Sequence, residues 1–287
     1  MGWFEERAGL AGTVAVITGG AGGLGAAITL DLAACGVHTA VLDIDPAAAA
    51  TTRRTLDENG HEAIVRHGDA REPEALTDLF EAVDERWGRL DTLVNVVGGT
   101  FRAAFTDTSP KGWDALLRAN LLHVLHACSL AVPRMRDGGR GGSIVNLTTV
   151  EAHRAAPGFA VYAAAKAAVE QFARTLAVEE APYGIRVNNV APDLTPTPRL
   201  SQLASAGGVL ADTAGVRAAI PMGRVGQVDD VSGCVVFLAS RLSSYVTGTT
   251  LHPDGGTYAS SGWFNWPGQG WANHVPAGLL ERDEPQG

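Results

Sequence analysis

Positive charge is scarce in this sequence. Its 22 Lys and Arg residues stand against 31 Asp and Glu, a net charge of −9, and no basic run offsets the balance. Nucleic acid and anionic membrane are therefore excluded as partners, since both require a clustered cationic face. Cysteine is scarce as well. Cys35, Cys128 and Cys234 lie far apart in apolar surroundings, a pattern of buried free thiols in a reducing, cytoplasmic compartment and not of a disulfide framework. An uninterrupted membrane span is also missing. The uncharged stretch 8–30 has the length of one, but seven glycines break it, and the preceding Trp3-Phe4-Glu5-Glu6-Arg7 lacks the net positive charge of a secretory leader. The expectation is neither export nor insertion. No linker or internal repeat is visible.

What is present is a chain of 287 residues, 46% of them hydrophobic, enough for one large α/β domain. An apolar strand over 13–18 runs into Gly19-Gly20-Ala21-Gly22-Gly23-Leu24-Gly25 and then a helix over 26–35. Glycines at a strand-to-helix turn let backbone N–H groups approach a pyrophosphate, which the helix N-terminus stabilises. The next strand, 39–42, ends at Asp43, at the distance expected for an acid that binds the adenosine ribose. A carboxylate there accepts from the ribose hydroxyls and repels a 2′-phosphate. No Arg or Lys stands in the glycine loop or directly after Asp43, so NAD is favoured over NADP. Strand and helix patterns then alternate: strand 63–65, helix 72–86, strand 90–95, helix 113–135, strand 143–147, helix 161–177, strand 185–190, helix 228–240 and strand 249–252. This alternation predicts one parallel sheet covered on both faces.

Within the helix 161–177, Tyr162 and Lys166 are four residues apart and share a face. A cation beside a phenol favours the phenolate, so the Tyr162 pKa is expected to fall towards working pH. With Thr18-Gly19, Gly23, Gly25, Asp43, Asp69, Asn95, Gly98, Asn120, Arg186-Val187-Asn188, Pro192, Gly223-Arg224 and Asp254-Gly255-Gly256, the chain resembles the short-chain dehydrogenase/reductase family, in its short single-domain branch. The resemblance runs over 10–257.

The resemblance implies a Rossmann-like, doubly wound single domain over 1–260. It also implies a catalytic tetrad, with Tyr162 as general acid/base, Lys166 lowering its pKa and holding the nicotinamide ribose, and Asn120 keeping a water in the proton relay. The fourth member, usually serine thirteen residues before the tyrosine, is Thr149 here. Its extra methyl restricts χ1 and predicts a narrower substrate choice. The cofactor-binding set implied is Gly19, Gly23, Leu24, Gly25, Asp43, Ile44, Asp69, Ala70, Asn95, Gly98, Pro192, Thr195 and Thr197, with Tyr162 and Lys166, and no metal. Two departures stand out. Asn95-Val96-Val97-Gly98 replaces Asn-Asn-Ala-Gly, and Asp193 replaces the glycine after Pro192, bringing a carboxylate towards the cofactor.

His123 and His126 have a metal-compatible spacing but no third ligand, and read as interface or surface residues. Glu151 and His153 approach the substrate cleft or are solvated. Residues 198–220 correspond to the family's variable substrate lid. The tail 261–287 holds Trp263, Phe264, Trp266 and Trp271, which predicts packing on its own or a neighbouring subunit. The function implied is NAD-dependent interconversion of a small-molecule secondary alcohol and its ketone, by a homotetramer. Alternatives are a 3-oxoacyl-carrier-protein-reductase-like enzyme, whose usual NADPH Asp43 disfavours, and an NAD-binding sensor or scaffold with impaired turnover.

Overall fold

Strand β1 (Val14–Thr18) is buried at all five positions, because both of its faces are covered. Val14 and Val16 point into one apolar layer, and Ala15 and Ile17 into the other. Around it the computed structural model, which describes residues 2–197 and 213–276, assembles a seven-stranded parallel sheet. The sheet comprises β2 (His38–Asp43), β3 (Ala63–His67), β4 (Thr92–Asn95), β5 (Gly142–Leu147), β6 (Ile185–Val190) and β7 (Thr250–Leu251), in the order β3-β2-β1-β4-β5-β6-β7. The chain winds outward in both directions from β1. The order reverses between β1 and β4, and the crevice above their carboxyl ends is where doubly wound sheets bind ligands.

Helices α4 (Pro73–Trp87), α6 (His123–Gly138) and α7 (Ala160–Glu180) cover one face through Leu76, Phe80, Val124, Ala127, Val169 and Ala173. Helices α2 (Gly23–Ala34) and α8 (Val228–Ala239) cover the other through Ile28, Leu32, Val231 and Val235. Helix α3 (Pro46–Glu58) starts on Asp45, whose carboxylate accepts from the N–H groups of Ala47 and Ala48. A short helix, α1 (Trp3–Ala8), precedes the sheet and was not expected from the sequence. Cys128 is buried, as expected, but Cys35 is exposed at the end of α2 and Cys234 only partly covered.

The helix predicted over 113–135 is not continuous. It comprises α5 (Pro110–Leu117), a π-helical turn (Arg118–Leu122) and α6. The run Pro110–Gly138 has the length and composition of a membrane span. Its inner stripe of Val124, Ala127, Cys128, Ala131 and Met135 packs into the core, and its place is that of a buried helix.

A row of amides crosses the sheet at the ends of the central strands. Asn95, Asn146, Asn189 and Thr250 are in register on β4, β5, β6 and β7. Asn95 Nδ2 donates to Asn146 Oδ1 at 2.9 Å, Asn146 Nδ2 to Asn189 Oδ1 at 3.2 Å, and Asn189 Nδ2 to Thr250 Oγ1 at 3.2 Å. Slipping any strand by one residue would break the row, so it locks the register of the strand ends beneath the crevice. Asn146→Leu would leave Asn95 Nδ2 and Asn189 Oδ1 buried without their partner. The expected loss is about 2–4 kcal/mol of unfolding free energy, measured by urea denaturation. A loss under about 0.5 kcal/mol, the level of an indifferent surface change, would show that the row is no lock.

Candidate active site

The glycine loop forms the left wall of the crevice. Gly19 has φ +68° and Gly23 φ +51°, conformations that side chains rarely adopt. A Cβ on Gly19 would meet Val97 at 3.0 Å, and one on Gly23 would meet Thr197 Cγ2 at 3.1 Å. Gly25 is required for packing, since a Cβ there would lie 1.9 Å from the Gly19 carbonyl oxygen. Helix α2 begins at Gly23, earlier than expected, so its N-terminus with Leu24 opens onto the crevice. Asp43 ends β2 with its carboxylate turned to this loop. Oδ2 accepts from the Ala21 N–H at 2.9 Å and Oδ1 from the Asp45 N–H at 3.0 Å. Ile44 beside it is exposed, and Ala70 is buried at the end of β3.

The floor is built from β4, the π turn and α7. Asn120 sits inside the π turn and is fully buried. Its Nδ2 donates to the carbonyls of Leu116, at 2.9 Å, and Gly99, at 2.8 Å, while Oδ1 accepts from the Gly99 N–H at 3.2 Å. The amide thus satisfies a backbone group that the interrupted helix leaves free. A Cβ on Gly98 would sit 3.2 Å from both Asn120 Oδ1 and Lys166 Nζ, so the three residues meet there. Lys166 is buried and donates to the Leu147 carbonyl at 2.8 Å. Burial pulls its pKa down to about 8.

Thr149 follows β5 and caps the 3-10 turn Val150–Ala152, accepting from the Glu151 N–H at 3.3 Å. Its side chain neighbours Tyr162 and favours ionisation of that phenol. The Tyr162 pKa is not lowered as the helical spacing suggested. Burial pushes it up, Thr149 pulls it down, and the nearby Glu151 charge raises it. Two residues on one helical face need not point their charged ends together, and Lys166 reaches across to Leu147 instead.

The right wall is the segment after β6. Pro192 is buried, and its carbonyl accepts from the Val150 N–H at 3.2 Å. Thr195 Oγ1 is buried without a hydrogen-bond partner among the described residues, and Thr197 faces Gly23. Two walls too close for added Cβ atoms, a helix N-terminus, an acid at the end of β2 and an unpaired hydroxyl fit a dinucleotide lying across β1 and β4.

A family model described as enoyl-(acyl carrier protein) reductase matches residues 19–258. The 3beta-hydroxysteroid dehydrogenase 1 of Eggerthella lenta is 36% identical over 248 residues, 86% of this chain and 94% of that protein. The cyclohexanol dehydrogenase of Rhodococcus sp. is 34% identical over 271 residues, 87% of this chain and 98% of that protein. The crystal structure of gox2181 superposes with a TM-score of 0.83 at 32% identity, covering 90% of this chain and all of that one. The chain belongs to the short-chain dehydrogenase/reductase family. With that membership come NAD(P) binding and oxidoreductase chemistry on CH–OH substrates.

Several expectations for this dehydrogenase/reductase change on the structure. The Asn95 amide nitrogen belongs to the amide row, while its Oδ1 is buried without a hydrogen-bond partner among the described residues. The Asp69 carboxylate is held by the Arg71 guanidinium, with contacts of 2.6–2.9 Å, and this ion pair keeps its pKa below the usual carboxylate range. Asp193 does not stand free beside the cofactor site. Arg154 Nη2 lies 3.1 Å from both of its oxygens and 2.9 Å from Glu151 Oε1. His126 is exposed as expected, but His123 is buried, and desolvation pulls its pKa down to about 3. His153 turns inward to Glu170. In the tail, Phe264–Trp266 and Gly270–Ala272 form a hairpin, with Trp263 and Trp271 half exposed. The lid residues 198–212 and the tail beyond 276 lie outside the described residues, and the lid's end is the helix Thr213–Ala219.

Lys166→Met tests the electrostatics of the floor. A Lys pKa depressed from 10.5 to about 8 means that the unfolded chain holds the proton more tightly. The penalty is therefore present in full below pH 8 and is relieved as pH rises towards 10.5. The variant is expected to be more stable than the parent at pH 7, by at most ~3 kcal/mol. That gain should shrink above pH 8 in denaturation curves, and a gain independent of pH would contradict it.

Proposed function

We propose that this protein is an NAD-dependent dehydrogenase that interconverts a secondary alcohol and its ketone, with Tyr162 as the acid/base. The observation that carries this reading is the meeting of Gly98, Asn120 and Lys166 at one point of the floor, with Tyr162 one helical turn before Lys166 on α7 and Thr149 as its neighbour. NAD, when bound, supplies the hydride acceptor. Asp43 selects it, since its carboxylate is held towards the glycine loop by two backbone N–H groups and no Arg or Lys stands in that loop or directly after Asp43 to receive a 2′-phosphate. Gly19, Gly23, Leu24 and Gly25 would cradle the pyrophosphate, with Ile44, Asp69 and Ala70 around the adenine. Pro192, Thr195 and Thr197 would lie near the nicotinamide end.

At the reacting carbon, Tyr162 Oη takes the hydroxyl proton during oxidation and returns it during reduction. The Thr149 hydroxyl bonds the same substrate oxygen and holds it in line. Lys166 gives one of its three N–H donors to Leu147, which leaves two for the nicotinamide ribose and the relay past Asn120. Burial raises the Tyr162 pKa, which favours the form that donates to a ketone, and in the direction of oxidation the phenol proton has first to leave through the relay.

For substrate, an alicyclic or otherwise apolar alcohol is supported by the relatives named for a hydroxysteroid and for cyclohexanol. A shallow apolar depression lined by Pro221, Ala259, Trp263 and Trp271 involves the tail, which we assign as a segment packed on the domain 1–260. A cytoplasmic homotetramer is proposed from the family resemblance, with Leu117, Leu122 and Val178 exposed on α5–α7 as candidate contacts.

A carrier-protein reductase is favoured by the description of the matching family model, and Asp43 speaks against its NADPH. A sensor with impaired turnover loses one of its two supports, because Asp193 is neutralised by Arg154.

The test is a panel of cyclic and linear secondary alcohols with NAD, read by nicotinamide absorbance. Tyr162→Phe should lower kcat by roughly 10²–10⁴-fold, and activity that survives the change would remove Tyr162 from the acid/base role. NAD should raise the melting temperature more than NADP does. Asp43→Ala should narrow that difference by about 10- to 100-fold in affinity, the worth of hydrogen bonds to a charged group. Equal stabilisation of the parent by both nucleotides would overturn the choice of NAD.

A further inference from the structure

Helix α7 carries more than the Tyr162–Lys166 pair along its inner face. Continuing at four-residue steps, that face bears Glu170 and Arg174. Glu170 is buried, with 2% of its side chain exposed, which is unusual for a carboxylate unless polar partners surround it. Its partners lie on both sides of the active hydroxyl. Oε1 accepts from Thr148 Oγ1 at 2.8 Å, one residue before Thr149. Oε2 lies 2.9 Å from His153 Nε2, four residues after Thr149, and 3.6 Å from Arg174 Nη2. The His153 contact is close enough for an ion pair but out of line for a hydrogen bond.

We propose that Glu170 is a positioning residue, which clamps the segment 148–153 at both ends and so sets where the Thr149 hydroxyl stands relative to Tyr162. The proposal rests on the role of Thr149 given above.

Three features support a clamp over a coincidental core contact. Thr149 has extended backbone on the lip of a strand, and the turn after it is held by local hydrogen bonds, the Val150–Pro192 contact and the half-exposed Arg154 bridge from Glu151 to Asp193, none of which reaches the Thr148 or His153 side chain. Lys166, one helical turn before Glu170, already grips the Leu147 carbonyl. The same helix face therefore holds three points of one strand end: Leu147, Thr148 and His153. On its other side, the His153 ring is packed by His252, with centroids 4.7 Å apart, and by Tyr258, at 5.0 Å. These two stack on each other at 4.6 Å. Asp254, the other carboxylate whose charge acts on His252, is occupied by the N–H groups of Gly256 and Tyr258. Glu170 is thus the charged group that reaches His153 from the helix.

A double-mutant cycle on kcat decides the matter, with turnover followed in the full-length protein. Glu170→Leu removes both contacts and should lower kcat roughly 10- to 100-fold, the scale of a misplaced reacting group, with KM for NAD unchanged. Glu170→Gln keeps an acceptor for Thr148 and should stay within about threefold of the parent. In a Thr149→Ala background, Glu170→Leu should lower kcat no further, because a residue acting through Thr149 has nothing left to position. If Glu170→Leu lowers kcat by the same factor with and without Thr149, or acts on KM for NAD alone, the clamp is refuted. If Thr149→Ala itself leaves kcat unchanged, the role of Thr149 fails and the clamp falls with it. Should Glu170→Leu lower the melting temperature too far to assay, His153→Leu runs the same cycle with the same criteria.

Discussion

The crevice depends on one buried contact, the ammonium of Lys166 against the carbonyl of Leu147. It joins the helix that carries Tyr162 to the strand end that carries Thr149. It is made at the expense of burying a cation, which burial has brought to a pKa of about 8. A lysine that merely filled space would be replaced without loss by an apolar side chain. This one sits where Gly98, Asn120 and the Tyr162 helix converge, and the electrostatic penalty is stored at the point where chemistry is done.

The rest of the site is support for that junction. The π turn around Asn120 gives up regular helix hydrogen bonds, and the Asn120 amide recovers them while facing Gly99. The amide row from Asn95 to Thr250 prevents four strand ends from sliding past one another. Arg154 ties the turn after Thr149 to Asp193 on the opposite wall. Every one of these groups is polar and most are buried, and nearly all find a partner on a different element, Asn95 Oδ1 excepted. A parallel sheet achieves this only when its register is fixed.

The reversal of the Tyr162 shift shows where local reasoning reaches its limit. Spacing along a helix correctly placed Tyr162 and Lys166 on one face. The direction of a pKa shift, however, is decided by what surrounds the oxygen, and here desolvation, the largest influence, raises it while Thr149 lowers it and the Glu151 charge raises it further. His123 and His126 make the same point. They are three residues apart on one helical run, yet one is buried in the core and the other exposed, because the π turn and the sheet choose which side faces inward.

The sequence by itself determined the alternation of strands and helices, the glycine loop, the acid after β2 and the Tyr162–Lys166 spacing, while Thr149 was implied by the family resemblance. Each is written in residues close together along the chain, where periodicity and turn chemistry operate. Only the tertiary structure decided that Asn95 serves the sheet, that Asp193 is held by Arg154 and that Glu170 grips both flanks of Thr149. Those pairings join residues about 20 to 50 positions apart, through strand order and register. Neither is legible until the parallel sheet has closed and a buried polar group has to find a partner wherever the fold presents one.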